Sequence, residues 1–280
     1  MTKNKPKISI GMPIYNAEQF LSEAIESILS QSFSDFELII SDNASTDNTR
    51  DICISYANKD NRIRYLCQIK NIGAWSNFQY VLAQSKADYF MWAAHDDVKS
   101  SDYLELNYTF LSQNSDYVAS TCPNRYSGSQ KDVSFSINES DSFKRYVKFF
   151  DYCWFSHGIF YSLIRKNVLI ECTLLDESSD FLGIDWGVDI FLASSGKINL
   201  TKDGYTRFND GGSKSADHLS RVRSSYIEYL IPFYKLSVYV VRICKGLSLK
   251  ERSIILNILI LLNLKFNYSR FKTRLKQLII

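Results

Sequence analysis

The chain has 280 residues, 45% of them hydrophobic and 22% charged, a balance that excludes disordered and fibrous classes and suits one large domain with or without an appendage. Only 4 Pro and 11 Gly exclude collagen-like and Pro/Gly low-complexity chains. The net charge of +3 is uneven: residues 221–280 hold 12 Lys and Arg against 2 Glu, while the first 220 residues hold 21 basic and 28 acidic groups. A basic, apolar tail on a mildly acidic body points to an anionic surface as partner.

Taken in chain order, the first half alternates between two periodicities. Lys7–Met12 is a short β-branched run closed by Pro13. Residues 18–30 place Phe20, Leu21, Ala24, Ile25, Ile28 and Leu29 at helical spacing. Phe36–Ser41 predicts a buried strand, Thr46–Tyr56 a helix with Ser45 or Asp47 at its start, and Arg62–Leu66 a strand. Trp75–Gln84 predicts a helix, Tyr89–Ala94 a fully apolar strand, Asp102–Gln113 a helix and Tyr117–Thr121 a strand. Residues 122–150 are polar and poorly periodic, with a short helix expected near 142–150. His157–Ser162 is expected as a strand, and Asp185–Ser195 as a helix ended by Gly196. Asn209–Ser213 has the composition of a flexible loop.

This alternation implies right-handed crossovers and a mostly parallel α/β sheet with helices on both faces. From about Ser220 the chain changes to long amphipathic helices, which sets the expected division at 1–220 and 221–280. The six cysteines show no C-x-x-C spacing, so a zinc or redox site is not expected. The basic start is followed by too short an apolar run for a secretory signal. The longest apolar run, Ile254–Leu264, is broken by Asn257 and Asn263, so no membrane-spanning helix is expected.

In open parallel sheets, ligands sit beyond the carboxyl ends of the strands. Those positions hold Pro13-Ile14-Tyr15-Asn16, Asp42-Asn43-Ala44-Ser45, residues 68–73 and His95-Asp96-Asp97. Adjacent carboxylates in a strand-to-helix turn can face apart, one to a hard cation and one to a ligand hydroxyl, and hard oxygens suit Mg²⁺ or Mn²⁺.

The segment KISIGMPIYNAEQFLSEAIESILSQSFSDFELIISDNASTDNT, residues 7–49, resembles the opening of family 2 glycosyltransferases. Asn71-Ile72-Gly73 with Asn77, Tyr89–Asp97, and Gly183-Ile184-Asp185-Trp186 ahead of Gly196-Lys197-Ile198 resemble later segments of that family. The resemblance implies a GT-A fold, a nucleotide-sugar donor (a UDP-sugar foremost) and a divalent metal, Mg²⁺ or Mn²⁺. By position it implies Pro13, Tyr15, Asn16, Asp42, Asn43 and Asn71 at the nucleotide, Asp96 at the ribose, Asp97 at the metal and Asp185 as general base. It further implies an inverting transfer to a glycan or lipid-linked acceptor in bacterial cell-surface polysaccharide synthesis, at the cytoplasmic face of the membrane. The alternative in another class is a catalytically inactive scaffold of the same fold.

Three residues depart from the pattern. Asn43 stands for an Asp, His95 for the first carboxylate of D-x-D, and Ile184 for a Glu. The metal then rests mainly on Asp97 and the diphosphate, and Asp180 and Asp189 stay open as alternatives to Asp185. His157 is a further candidate for contact with the diphosphate or the acceptor, and His218 for contact with the metal or the diphosphate. The tail interleaves Lys265, Arg270, Lys272, Arg274 and Lys276 with Phe266, Tyr268, Phe271, Leu275 and Leu278. Such helices lie in an anionic membrane interface, pack on the domain, or pair as a homodimer. No nucleic-acid-binding module is present in the sequence.

Overall fold

The computed structural model describes residues 5–126, 133–177, 180–209 and 225–278. The elements run β1 (Ile8–Ile14), α1 (Leu21–Leu29), β2 (Phe36–Asp42), α2 (Thr49–Lys59), β3 (Ile63–Cys67), α3 (Ala74–Ala83), β4 (Tyr89–Trp92), β5 (Val98–Lys99), α4 (Tyr103–Gln113) and β6 (Tyr117–Thr121). They continue as β7 (Asn124–Tyr126), α5 (Ser142–Tyr152), α6 (His157–Phe160), β8 (Leu163–Arg165), α7 (Lys166–Leu169), α8 (Ile184–Ser195), β9 (Lys197–Leu200) and β10 (Thr206–Phe208). Three tail helices close the chain: α9 (Tyr226–Leu230), α10 (Tyr234–Ile243) and α11 (Leu249–Leu278).

Seven strands form one sheet in the order β3-β2-β1-β4-β8-β6-β9, and all neighbours pair parallel except β8, which is antiparallel to β4 and β6. The period of two sorts the side chains between two cores. Ile8, Ile10, Met12 and Ile14 of β1, with Leu38 and Ile40 of β2, meet α1, α2 and α4 on one face. Phe90 and Trp92 of β4, with Ile39, meet α3, α5 and α8 on the other. Gly11 lies on that second face, where an added Cβ would stand 2.7 Å from Val81 and 2.8 Å from Phe90. Its missing side chain is what lets α3 lie against β1.

The segment expected as a strand at His157–Ser162 is instead α6 followed by a turn, and the strand begins at Leu163. A short apolar run carries no reliable period, so burial of Ile159 and Phe160 fits either reading. Arg165 fixes the strand's position by donating to the carbonyls of Tyr117, Leu111 and Asn114. The small sheet β5-β10-β7 was not expected; its strands are two or three residues long and show no period. The helix near 142–150 is present as α5, with the Asp141 side chain accepting from Lys144 N at 2.9 Å.

The tail packs on the second face. Leu236, Tyr239 and Val240 of α10 and Ile255, Leu259 and Leu262 of α11 belong to the same apolar cluster as Trp92. Trp154, Trp186, Phe233 and Phe266 join the tail to α8 through ring contacts, with Trp186 stacked on Phe233 at 5.2 Å. Asn263, which breaks the apolar run, is buried and accepts Phe233 N at 2.8 Å. The other side of α11 exposes Leu256, Ile260, Leu261, Leu264 and Tyr268. Among the described residues no helix is long and apolar enough to cross a membrane. The expected boundary near residue 220, the loop beyond Asn209 and His218 lie outside the described residues.

Candidate active site

The carboxyl ends of β1, β2, β3 and β4 meet at one rim. Hydrogen bonds run past the strands and hold the loops in place: Asn43 N to Ile14 O, Gln68 N to Asp42 O and Ala93 N to Gly11 O, at 2.8–2.9 Å. Pro13 is buried at the end of β1, and Tyr15 beyond it is exposed. The two non-glycine residues with positive φ among those described, Asn16 (50°) and Ala44 (61°), both sit on this rim. Asn16 N donates to Ser45 Oγ at 2.9 Å and Asn16 Oδ1 accepts Thr46 N at 2.9 Å. Strained backbone gathered in one place is a mark of a ligand site.

Asp42 is buried, with one oxygen accepting Ser45 N at 2.8 Å and the other accepting the Tyr65 hydroxyl at 2.9 Å. Its carboxylate thus shapes the loop, with one bond accepted at each oxygen. Asn43 is buried too, and its side chain reaches Asn71, Ile72 and Gly73. Sequence reasoning missed Tyr65, because its role depends on the parallel register that sets Asp42 opposite Cys67.

Asp96 and Asp97 follow β4, both buried. The Asp96 carbonyl accepts Asn209 Nδ2 at 2.8 Å, which ties the acid pair to the end of β10. Burial pushes the Asp97 carboxyl up to about 7, with Asp96 adding to the rise and Lys99 opposing it. Lys99, also missed, is buried on β5, and loss of water pushes its ammonium down to about 8. Its ammonium lies 4.2 Å from the Tyr103 ring centre and 3.3 Å from Thr206 Oγ1. Among the described residues no three His, Cys, Asp or Glu side chains converge on one point. A cation at Asp97 would thus draw one hard carboxylate from the chain, which fits an ion that keeps several waters or phosphate oxygens, as Mg²⁺ and Mn²⁺ do.

Gly183, in the left-handed region at φ 83°, starts α8. A Cβ there would press on Leu236 at 3.1 Å and Phe233 at 3.2 Å, so glycine sets the angle at which the helix starts. Asp185 stands partly exposed in the first turn of α8, and burial raises its carboxyl while nearby His157 lowers it. The His157 side chain is exposed and faces Phe208, so it is no core residue. Asp189, one turn on, is 1% exposed, and neither of its oxygens has a hydrogen-bond partner among the described residues. Burial holds its carboxyl well above the ordinary range, with Asp185 adding to the rise. Ser156 beside it lowers it again, although its hydroxyl stands outside hydrogen-bond geometry.

A seven-stranded, mostly parallel sheet with acids at the end of β4 defines a GT-A type α/β protein. Residues 9–172, more than half the chain, match the Glycosyl transferase family 2 model, and the chain belongs to that family of transferases. An uncharacterised glycosyltransferase of Haemophilus influenzae is 37% identical over 111 residues, 40% of this chain and 44% of that protein. The putative teichuronic acid biosynthesis glycosyltransferase TuaG of Bacillus subtilis is 35% identical over 115 residues, 41% of this chain and 46% of that protein. The chain thus matches less than half the length of these relatives. Among solved structures, S. aureus TarS residues 1–349 superpose with a TM-score of 0.70 at 18% identity, over 95% of this chain and 73% of that chain. TarS in complex with UDP-GlcNAc gives 0.67 at 18% identity, over 89% and 70%. The mannosyltransferase PcManGT from Pyrobaculum calidifontis, in complex with GDP-Man and Mn²⁺, gives 0.55 at 16% identity, over 91% and 69%. At such identities these likenesses show the fold.

Proposed function

We propose that this protein is an inverting, metal-dependent glycosyltransferase that moves a sugar from a nucleoside-diphosphate donor to a glycan or lipid-linked acceptor during synthesis of a bacterial cell-surface polysaccharide. Asp97 carries the reading. It is an acid buried at a strand end, destabilised in its charged form, and met by no hydrogen bond among the described residues. Such a group favours a cation beside it. The nucleotides and metal named for TarS and PcManGT, and the polysaccharide named for TuaG, support the same reading.

The donor base rests on the rim of Pro13, Tyr15, Asn16, Asp42, Asn43 and Asn71, and Asp96 faces the ribose. A divalent ion held by Asp97 and the diphosphate supplies positive charge for the leaving group. Asp185 accepts the proton of the acceptor hydroxyl as that hydroxyl attacks the anomeric carbon from the opposite face. Exposure favours Asp185 over Asp189 in that role, since a base must reach the acceptor and Asp189 is enclosed. The exposed apolar side of α11, among basic residues, seats the enzyme at the cytoplasmic face of the membrane.

Thermal-shift titration with UDP and GDP, with and without Mn²⁺, tests the donor reading. A rise in melting temperature that needs both nucleotide and metal supports it, because a ligand of the folded state stabilises by mass action. Release of UDP or GDP from the matching nucleotide sugar separates an enzyme from an inactive scaffold.

A further inference from the structure

The one antiparallel strand of the large sheet places Tyr161, a residue with no assigned role, at the rim formed by the carboxyl ends of the parallel strands. β8 pairs Ile164 with Phe90 of β4 and Leu163 with Ser120 of β6. Because β8 runs against its neighbours, its amino end lies beside their carboxyl ends. Tyr161 lies in the turn between α6 and β8, two residues before Leu163, and so beside the carboxyl ends of β4 and β6.

Three contacts hold the residue there. The Tyr103 hydroxyl donates to Tyr161 O at 3.2 Å, Tyr161 N donates to His157 O at 3.3 Å, and the ring meets Phe160 edge-on at 5.1 Å. Phe160 is itself stacked on Trp92 at 4.7 Å, so the platform is anchored in the core. The side chain is partly exposed, and no hydrogen bond reaches its hydroxyl among the described residues. Lys99, two residues after Asp97, lies on the Tyr103 ring and Tyr103 bonds to Tyr161, while α6 just before Tyr161 packs on α8, which carries Asp185 and Asp189; burial and the carboxylates of these two regions keep the phenol protonated. It is therefore a neutral donor standing between two groups of acceptors.

We propose that the Tyr161 hydroxyl is a substrate-contacting residue that donates a hydrogen bond to the sugar being transferred. The inference rests on the donor reading above. In that reading the sugar must lie between the leaving diphosphate, at Asp97, and the acceptor, at Asp185, and Tyr161 stands between those acids. The carboxylates accept from sugar hydroxyls, and Tyr161 supplies a donor to an oxygen they leave unmatched. A site built to hydrogen-bond a particular hydroxyl discriminates against sugars that lack it.

Isothermal titration tests this with wild type and Tyr161→Phe, in Mn²⁺, using UDP, UDP-GlcNAc, UDP-glucose, UDP-galactose, GDP and GDP-mannose. The variant loses one oxygen and keeps the ring, so its melting temperature should match wild type. The expected result is unchanged affinity for the nucleoside diphosphate, with the ratio of nucleotide-sugar to nucleotide dissociation constants raised about tenfold for the true donor. An unchanged ratio for every sugar overturns the proposal. So does an equal loss for nucleotide and nucleotide sugar, which would place the hydroxyl on the diphosphate. Failure of every nucleotide to bind wild type would instead remove the donor reading, and this inference with it.

Discussion

Asn43 donates its side-chain amide to Asn71 Oδ1 at 3.1 Å and to Gly73 O at 3.2 Å, while its own oxygen accepts Ile72 N at 2.8 Å. The residue that departs from the family's acid is therefore matched to its surroundings. An Asp at this position keeps the bond from Ile72 N but sets a carboxylate against two acceptors. Asn43→Asp, which restores the family pattern, should thus loosen residues 71–73 and lower stability by about 1–3 kcal/mol. UDP binding should weaken rather than improve. Urea unfolding and nucleotide titration check both effects, and a stabilised variant with tighter UDP binding would contradict the argument.

This pair also shows what the sequence carries and what it does not. The strand ends, the rim residues and the acid pair follow from alternating periods and position along the chain. Their partners do not: Asn71 meets Asn43 only because α3 packs back on β1, and Tyr65 reaches Asp42 only through the β2–β3 register. The weakest expectation was at His157–Ser162, where a short apolar run hid a helical turn and the start of the antiparallel strand. Tyr161 was missed for that reason, because its place depends on the direction of β8. The tail's amphipathic character was legible, but its burial against Trp154 and Trp186 was not, since helical spacing does not name the face it covers.

Asp97 and Lys99 form a second pair of interdependent residues. Lys99 is buried, which disfavours its charge, and its closeness to Asp97 favours its charged form. Asp97→Asn should therefore do two things. It should abolish Mn²⁺-dependent nucleotide binding, and it should cost about 1–3 kcal/mol of stability by leaving a buried cation uncompensated. Adding Lys99→Met should recover stability without recovering metal-dependent binding. Denaturation curves and Mn²⁺ titrations of the single and double variants check the cycle; an Asp97→Asn protein as stable as wild type would break the coupling.

The tail should separate into two faces. Ile255, Leu259 and Leu262 are buried against the domain, and each contributes about 1.5–3 kcal/mol by leaving water. Deleting residues from 249 onward should therefore destabilise the whole protein and expose an aggregating surface. Replacing Leu256, Ile260, Leu261 and Leu264 with Gln, all on the exposed side, should leave the melting temperature within a few degrees of wild type. Sedimentation with anionic liposomes should drop for that variant if this face meets the membrane, and equal sedimentation would remove the membrane role.

Asp189 predicts a pH dependence with a definite sign. Its folded-state carboxyl is held above its unfolded value by burial, and Asp185 adds to the rise. The folded state therefore binds the proton more tightly, so stability is fully present below the unfolded value near 3.8 and is lost as pH rises toward the folded one. Asp189→Asn is neutral at every pH and should flatten this loss. Its melting temperature should gain on wild type steadily between pH 5 and pH 8. A wild-type protein that gains stability over that range relative to the variant would reverse the sign and show that Asp189 is charged and paired.

Asp185 and Asp189 together decide where the base lies. Asp185 is partly exposed at the first turn of α8, with His157 nearby, whereas Asp189 is sealed beneath it. A base acts only on a proton it can reach, so Asp185→Asn should remove a group used in the transition state and hardly touched by the donor. Its kcat should fall about 10²–10⁴-fold while nucleotide and Mn²⁺ affinities stay at wild-type values. Asp189→Asn changes a group with no access to the acceptor, so its kcat should fall less than tenfold, through repositioning of Asp185 alone. Asp180→Asn, measured in parallel, tests the other carboxylate close enough to raise the Asp185 carboxyl. If Asp189→Asn is the inactive variant and Asp185→Asn turns over normally, α8 must shift when substrate binds and the base sits one turn later. If all three keep full rates, proton removal does not depend on this helix.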